Sequence, residues 1–268
     1  MGADVIGVSV NSWRGCVDHP LPAAAQMARD VELAQAGEPS LRFFEWDPPA
    51  VSLGFKQPRP SWLDSVRWRA SGCEAVERPT GGGIAVHGSD LSMSIVVPRH
   101  SKVSLDALMR AACQSAQRVC EAFGMEAWCR LDVPAARRVI YCLTEASPYA
   151  VFLGARKVAG FALRRFARSW LIEGSLLLSA LPPRLERGLP AEVMTQLRAR
   201  AVALEEAAGR PISAQELAQT WAEEWQSGSS SAFWSGDVPP TVAWAGCPRF
   251  VVGETSPLEE AILEGERT

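Results

Sequence analysis

The sequence predicts an α/β fold of the α+β kind, in which a β-sheet is flanked by helices. Apolar and small polar residues alternate from Leu91 to Val97, which is the two-residue period of a strand. Apolar residues instead recur every three or four positions from Ser104 to Gly124, which is the period of an amphipathic helix. Several short strand-like segments follow that helix and are separated by glycines. A chain that combines these two periods is expected to build a sheet with helices packed on it.

The N-terminal third contributes one helix and four strands to this prediction. Residues from Pro20 to Gly37 place apolar side chains at helical spacing and end at a glycine, a common helix stop. Two strands are predicted at Leu41 to Trp46 and at Ala50 to Gly54, on either side of a diproline turn. Two more, at Glu74 to Glu77 and at Leu91 to Val97, flank a glycine-rich loop. The last of these is expected to bury one face and to expose the other.

The rest of the chain contributes further strands and a helical C-terminal part. Ser104 is a suitable N-cap for the long helix, and Cys113 and Cys120 fall on its apolar face, which makes them core residues. Five strands are then predicted, at Met125 to Leu131, Arg138 to Leu143, Ala150 to Leu153, Lys157 to Leu163 and Trp170 to Leu178. Two helices, from Ala191 to Gly209 and from Ser213 onward, are expected to pack on the sheet or to form a small appendage.

Composition argues against several classes of protein. The 268 residues are 47% hydrophobic and 21% charged, as is usual for a folded globular chain. A net charge of -3 gives no global reason to bind nucleic acid, and no apolar run reaches membrane-spanning length. The N-terminus lacks a secretory signal pattern, and the seven cysteines form no Cys-x-x-Cys pair. We therefore expect a cytoplasmic protein with reduced thiols and no metal site, which binds neither nucleic acid nor a membrane.

The glycine-rich loop is the first candidate for a binding site. Arg78 precedes Gly81, Gly82 and Gly83, and His87 follows them closely. Bare glycine backbone beside a guanidinium suits a phosphate, a carboxylate or an acyl carbonyl. A tight turn between two strands explains the glycines equally well. The loop lacks both the Gly-Lys-Ser/Thr ending of a phosphate-binding loop and the Gly-x-Gly-x-x-Gly pattern, which disfavours the standard nucleotide-binding folds.

Lys157 and Cys142 are candidates for chemistry. Lys157 lies in a predicted strand near small residues, where a partly buried amine is able to bind a carbonyl or carboxylate. A solvated strand lysine is the alternative. Cys142 is either a small buried hydrophobe or a nucleophile.

Five segments in series resemble the signatures of the biotin/lipoate protein ligase superfamily, and they are closest to its cysteine-dependent octanoyltransferases and lipoate-protein ligases. The segments are Trp46 to Gly54, Arg78 to Gly82, Ala85 to His87 with Leu91 and Ser94, Gly154 to Gly160, and Leu204 to Ser213. The resemblance covers about Pro20 to Gln226. It implies an α/β domain with a mixed sheet, formed by residues 1–228, followed by a partly irregular tail at 229–268.

The resemblance also implies roles for individual residues. Cys142 is expected to form a thioester acyl-enzyme, and Lys157 is expected to bind the acyl carbonyl region. The residues expected to contact substrate are Arg78, Thr80, Gly81, Gly82, Gly83, His87, Gly160 and Ala162. A thiolate exchanges readily with a carrier thioester, and the new thioester then yields to an amine.

The function implied is transfer of an octanoyl or lipoyl group from an acyl carrier protein, through Cys142, to a lysine of a lipoyl domain or a glycine-cleavage H-like protein. This reaction needs no cofactor. One alternative is a lipoate-protein ligase that forms lipoyl-AMP with ATP and Mg²⁺, and another is a non-catalytic subunit of a lipoylation system. The chain departs from the family pattern at Phe161 and at Glu173, where a carboxylate stands in place of an imidazole.

Overall fold

The computed structural model describes residues 12–99, 104–131, 140–145, 147–232 and 241–244 of the chain. Within these ranges the strands are β1 (Ser12–Val17), β2 (Ser40–Phe44), β3 (Ala50–Leu53), β4 (Glu74–Glu77), β5 (Ala85–His87), β6 (Asp90–Pro98), β7 (Ala127–Arg130), β8 (Ala150–Leu153), β9 (Arg156–Arg165), β10 (Ser169–Leu177) and β11 (Thr241–Trp244). The helices are α1 (Ala23–Ala36), α2 (Val66–Ser71), α3 (Leu105–Ala122), α4 (Pro183–Gly188), α5 (Ala191–Arg200), α6 (Leu204–Ala208) and α7 (Ala214–Ala232).

The strands form a large sheet and a small one. The large sheet has the order β11-β1-β2-β6-β10-β9-β8-β7 in the described part of the chain, and the small sheet has the order β4-β3-β5. β1 pairs parallel with β2 and β11, whereas the other pairs of the large sheet are antiparallel. The predicted mixed sheet with flanking helices is therefore confirmed.

One face of the large sheet packs against α3 and α7 and forms the main apolar core. Phe43 of β2, Met93 and Ile95 of β6, and Ile172 of β10 point to this side and are fully buried. Trp221 of α7 is also fully buried, with its ring 5.4 Å from that of Phe43. The C-terminal helix predicted from Ser213 thus packs on the domain as part of its core.

The opposite face of the sheet is covered by α1 and by the small sheet. Ala34 of α1 packs against Val96 and Leu171. A second apolar cluster joins the small sheet to α2, α4 and α5 through residues such as Leu53, Trp68 and Leu197. Between these layers the large sheet presents polar side chains, and the cavity described below lies there.

Three sequence predictions need correction. β6 is buried at all nine positions, so its serine face is not exposed as expected, because α1 and the small sheet cover it. The helix predicted from Ala191 to Gly209 is broken between α5 and α6, because the extended Ala201 pairs with Lys157. The third correction concerns the strand predicted at Arg138 to Leu143. Residues 138 and 139 lie outside the described ranges, and in the described remainder Tyr141 forms only an isolated bridge with Ile84.

Two other features bear on the sequence predictions. Cys113 and Cys120 are fully buried on α3, as expected of core residues. The predicted domain boundary at residue 228 falls within α7, and β11 from the predicted tail pairs with β1. The division into a domain and a tail remains a prediction.

Candidate active site

A cavity of about 120 Å³ opens between the large and the small sheet. Eight of the ten residues predicted to form the site line it, and they come from segments far apart in the chain. They are Arg78, Gly82, Gly83, His87, Cys142, Lys157, Gly160 and Ala162. Apolar side chains such as Phe44 and Leu143 complete its walls. The arrangement offers an apolar volume with a few charged and polar groups, as is usual for a small-molecule site.

Arg78 organises the glycine-rich loop. Its Nη2 donates hydrogen bonds to the carbonyl oxygens of Gly81 (2.7 Å) and Gly83 (2.8 Å). Its Nη1 donates to the carbonyl oxygen and to the hydroxyl of Ser52 on β3 (3.0 and 3.1 Å). Gly82 has a φ of +96°, and a side chain there would meet the Arg78 guanidinium at 2.9 Å. The loop therefore requires glycine at this position, both for its backbone conformation and for the close approach of the guanidinium.

Cys142 lies against this loop although 64 residues separate it from Arg78. Its N–H donates to the carbonyl oxygen of Ile84 (2.8 Å), and the Ile84 N–H donates to that of Ile140 (2.7 Å). These two bonds hold the segment beside the glycine loop. The thiol Sγ is then 3.7 Å from Nη2 of Arg78, and the structure leaves Cys142 partly exposed. A guanidinium at this distance is placed to stabilise negative charge on the sulfur.

Lys157 of β9 is almost fully buried beside the cysteine. Its Nζ donates to the carbonyl oxygen of Cys142 (2.6 Å) and to the hydroxyl of Ser147 (2.7 Å). Burial lowers the pKa of Lys157, and nearby Cys142 and Glu145 oppose that change only in part. An ammonium has three N–H donors, and these two contacts leave one that is able to reach a substrate oxygen.

Lys157 and Arg78 contact different parts of Cys142. Lys157 donates to the carbonyl oxygen of Cys142, while Nη2 of Arg78 lies 3.7 Å from the sulfur. Gly160 packs against Lys157, because a side chain at Gly160 would meet its Cε at 3.1 Å and its Nζ at 3.2 Å.

His87 belongs to a buried hydrogen-bonded group. Its Nε2 lies 2.8 Å from the Ser52 hydroxyl, and its Nδ1 lies 2.8 Å from Oδ2 of Asp90. Trp46 stacks on the imidazole at a ring separation of 4.0 Å. Ser52, His87 and Trp46 all line the cavity. Sequence reasoning picked out only His87 from this group; the alternation of β3 was the available signal for Ser52.

Glu173, which replaces an imidazole of the family pattern, is buried at the cavity wall beside Ala162. Thr80 donates a hydrogen bond to its Oε2, and its Oε1 has no partner among the described residues. Burial, reinforced by the neighbouring Asp30 carboxylate, raises the pKa of Glu173 to about 8. Glu173 is therefore protonated at neutral pH. Thr80 does not line the cavity itself but ties the glycine loop to this carboxyl group.

Asp30 connects this carboxyl group to a buried ion pair. Arg42 of β2 bonds to Asp30 (2.6 Å) and to Asp18, and Gln26 of α1 also contacts the same guanidinium. No single-residue signal in the sequence identifies this cluster, because its members look like ordinary surface charges of a helix and a strand.

Phe161, the other departure, is among the residues that line the cavity, and its ring packs toward Gly174 and Trp221. Its ring lies where a Gly174 side chain would be, at 2.3 Å from the ideal Cβ position, and meets Trp221 edge-on at 6.3 Å. The bulk of Phe161 is therefore accommodated in the helix-facing core.

The part of the chain that the structure describes has neither a membrane-spanning helix nor a metal-binding cluster. Within residues 12–99, 104–131, 140–145, 147–232 and 241–244, no helix is both long and apolar enough to cross a membrane. The same ranges contain no group of three or more histidine, cysteine, aspartate or glutamate side chains arranged to hold a metal ion.

Comparison with known proteins identifies relatives over most of the chain. Residues 22–226 match the family described as the lipoyl protein ligase A/B catalytic domain. The octanoyltransferase LipM of Symbiobacterium thermophilum is 34% identical over 238 residues, which are 79% of this chain and 82% of that relative. The octanoyltransferase LipM of Kyrpidia tusciae is 31% identical over 80% of this chain and 86% of the relative.

Solved structures show the same fold. A lipoate-protein ligase A bound with ATP superposes with a TM-score of 0.66 at 16% identity, over 95% of this chain and 93% of that chain. A bi-partite lipoate protein ligase from Thermoplasma acidophilum gives a TM-score of 0.61 at 15% identity, over 95% of this chain and 91% of that chain. At these identities the likeness concerns the fold alone.

Proposed function

Because the chain belongs to the lipoyl protein ligase A/B catalytic-domain family, we propose that it is an acyltransferase that moves an octanoyl group from a carrier thioester to a protein lysine. The octanoyltransferase names of its relatives support this choice of acyl group. The observation that carries the proposal is the position of the Cys142 thiol, which lies at the cavity and within 3.7 Å of the Arg78 guanidinium.

In the first step the Cys142 thiolate attacks the carbonyl carbon of the incoming thioester. A tetrahedral intermediate forms, the bond from that carbon to the carrier sulfur breaks, and the carrier leaves as a thiol after taking up a proton. Arg78 stabilises the charge on the attacking sulfur. The third N–H of Lys157 is the donor we assign to the developing oxyanion, because a preorganised donor in a dry site stabilises such charge strongly.

In the second step the neutral amine of an acceptor lysine attacks the acyl-enzyme carbonyl. The bond to Cys142 Sγ breaks, the thiolate is restored, and the nitrogen loses a proton as the amide forms. The thioester is already activated, so the proposed reaction consumes no ATP. We assign an acyl carrier protein as the donor and a lipoyl domain or glycine-cleavage H-like protein as the acceptor.

The remaining predicted residues have supporting roles in this proposal. Gly82 and Gly83 bring bare backbone to the cavity, and Gly160 leaves the space that Lys157 occupies. Gly81 contributes its carbonyl oxygen to Arg78 and does not line the cavity. Ala162 faces the cavity beside Glu173 and gives the acyl chain a small apolar wall.

Intact mass spectrometry tests the proposal. The protein is incubated with octanoyl acyl carrier protein in the absence of ATP, and we expect a mass gain of one octanoyl group that Cys142→Ala abolishes. Cys73→Ala, which removes a partly buried thiol outside the cavity, is the matched control and should still be acylated. Addition of a lipoyl domain should then move the acyl group to the acceptor.

Two results would overturn the proposal. Acceptor modification that requires ATP and survives Cys142→Ala would identify a ligase that works through an acyl-adenylate. Absence of modification with or without ATP would identify a non-catalytic subunit.

A further inference from the structure

The buried carboxylate of Asp90 lies behind the cavity and accepts hydrogen bonds from residues of several strands. Oδ2 of Asp90 receives the Ser175 hydroxyl (2.5 Å), the Ser92 hydroxyl (3.0 Å) and Nδ1 of His87 (2.8 Å), while Oδ1 receives the Gly88 N–H (3.0 Å). Burial alone would raise the pKa of Asp90, but His87 and these donors hold it below its ordinary value. Asp90 is therefore an ionised acceptor that fixes which imidazole nitrogen carries a proton.

The orientation of His87 is fixed on all sides. In a neutral imidazole whose Nδ1–H donates to Asp90, Nε2 accepts the hydroxyl proton of Ser52, which is 2.8 Å away. Trp46 stacks on the ring with an interplanar angle of 17°, and its own Nε1–H is held by Ser92 at 2.8 Å. The imidazole has neither rotational freedom nor a second partner for Nε2 among the described residues.

Ser52 passes this orientation on to Arg78. Its hydroxyl proton points at His87, so an oxygen lone pair is left for Nη1 of Arg78, which is 3.1 Å away. The other arm of the same planar guanidinium, Nη2, is the group 3.7 Å from Cys142 Sγ. Asp90, His87, Ser52 and Arg78 thus form a continuous chain of directed contacts that ends at the thiol.

We propose that Asp90 and His87 are positioning residues for the acyl transfer, which hold Ser52 and thereby the Arg78 guanidinium in the orientation that stabilises charge on Cys142. This inference rests on the proposed function, since it assigns that thiol as the nucleophile. Neither residue touches the sulfur. A Ser-His-Asp group at hydrogen-bonding distances would elsewhere activate its serine. Here the serine oxygen is bound by Arg78 and is fully buried, so the group orients a cation instead.

The direction of the hydrogen bonds yields a specific expectation for Asp90→Asn. The asparagine amide would donate to Nδ1, move the imidazole proton to Nε2 and make that nitrogen a donor to Ser52. The serine oxygen would then accept from both Nε2 of His87 and Nη1 of Arg78, and its proton would lose His87 as an acceptor, which disturbs the contact that orients the guanidinium. The substitution changes polarity with little change in shape.

The test compares His87→Leu, His87→Gln and Asp90→Asn with the wild type under single-turnover acylation by octanoyl acyl carrier protein. We expect His87→Leu and Asp90→Asn to lower the maximal rate about 30-fold while the half-saturating donor concentration changes less than about threefold. His87→Gln places an amide group near the position of Nε2 and should recover the rate to within about fivefold of the wild type.

A matched control separates positioning from loss of stability. Ser169→Ala removes another fully buried strand hydroxyl, one that donates to the Ala34 carbonyl oxygen far from the cavity. It should cost a comparable amount of thermal stability and leave the acylation rate unchanged. A His87→Gln variant as slow as His87→Leu, or a loss of rate that follows melting temperature across all variants, would overturn the inference.

Alkylation of Cys142 by iodoacetamide distinguishes failure of this inference from failure of the proposed function. If the wild type is not acylated at all, the proposed function fails, yet iodoacetamide still reports on the sulfur. His87→Leu should slow its alkylation about tenfold, and His87→Gln should restore it. Equal alkylation rates in all variants would refute the positioning role.

Discussion

The two faces of the large sheet are buried to the same extent but by opposite means. On the side of α3 and α7, Met93 and Ile95 of β6 pack into an apolar core. On the side of α1, their neighbours Ser92 and Ser94 are equally buried, next to Arg42 and Glu173. The same strands thus supply a hydrophobic core with one set of side chains and the polar surroundings of a reaction site with the other.

The difference shows that the two faces contribute to folding with opposite sign: apolar burial on the helix side stabilises the fold, and polar burial on the α1 side costs free energy. Buried polar groups are unfavourable unless hydrogen-bonded, and several on the α1 side lack a partner among the described residues, including Glu173 Oε1, Asp30 Oδ2 and Ser94 Oγ. Folding energy from the helix side offsets this cost. Substitutions in the helix-side core should therefore change stability, whereas on the cavity side substitutions of the proposed reacting groups should change activity.

The largest expected effect is that of Cys142→Ala compared with Cys113→Ala. The first removes the proposed nucleophile and should lower octanoyl transfer by more than about 1,000-fold without changing the melting temperature. The second removes a fully buried thiol of α3 and should cost about 1 kcal/mol of unfolding free energy with activity retained. Transfer assays and urea unfolding measure both. A Cys142→Ala variant that is stable and still active would contradict the expectation that this cavity-side residue is needed for activity.

Trp221→Ala should show the opposite pattern. The indole is fully buried, packs against Phe43 and Phe161, and donates to the Ser115 hydroxyl at 3.0 Å. We expect a loss of about 3–5 kcal/mol in the free energy of unfolding, while the folded fraction keeps near wild-type activity at low temperature. A loss of under about 1 kcal/mol in denaturant unfolding would contradict the assignment of Trp221 to the main core.

Lys157→Met should lower transfer about 100-fold, because it removes the proposed oxyanion donor while filling similar space. Stability should change little, because the variant also removes a buried amine whose charged form is disfavoured, as the lowered pKa of Lys157 indicates. Single-turnover acylation and thermal unfolding would be measured together. Transfer within threefold of the wild type would exclude Lys157 from the chemistry.

Glu173→Gln should have the smallest effect, which is a change in how the melting temperature depends on pH. The pKa of Glu173 is raised to about 8 in the folded state, so the folded protein holds a proton that the unfolded chain loses above its ordinary pKa near 4.5. Wild-type stability therefore falls as pH rises from about 4.5 to 8 through this group.

The glutamine keeps the shape of the protonated carboxyl group beside Asp30, and it carries no charge that could appear as the pH rises. We expect the melting temperature of Glu173→Gln to match the wild type near pH 5 and to exceed it by roughly 5 °C at pH 8.5. Scanning calorimetry across this range provides the measurement. A constant difference at all pH values would show that folding does not raise the pKa of Glu173.

Periodicity predicted the fold well where one face of an element is apolar. The helix after Ser104 and the strand at Glu74–Glu77 occur as expected, and the Ser104 hydroxyl accepts from the Ala107 N–H. The prediction of a solvated face on β6 was wrong, because serine is compatible with solvent and with a buried polar site alike. Local pattern does not tell which layer will cover a face.

The residues of the candidate site were identified from motifs, while their contacts were beyond sequence reasoning. The Arg78 to Cys142 contact depends on the pairing of the Cys142 segment with Ile84, a bond between regions 58 residues apart. The alternation of β3 was the only signal for Ser52, and Asp90 gave none, because a strand serine and an aspartate at the start of a strand are both common. Their importance arises only when three strands bring them to one imidazole.

The break between α5 and α6 has a consequence for how the molecule is made. Val202 donates its N–H to the carbonyl oxygen of Lys157 at 3.0 Å, so a segment 45 residues downstream completes the strand that carries the lysine. On the ribosome, Cys142, Arg78 and Lys157 emerge well before Val202 does. A nascent chain therefore contains all three residues before Val202 is available to pair with the strand of Lys157, and the proposed site is completed only when the C-terminal helices have been synthesised.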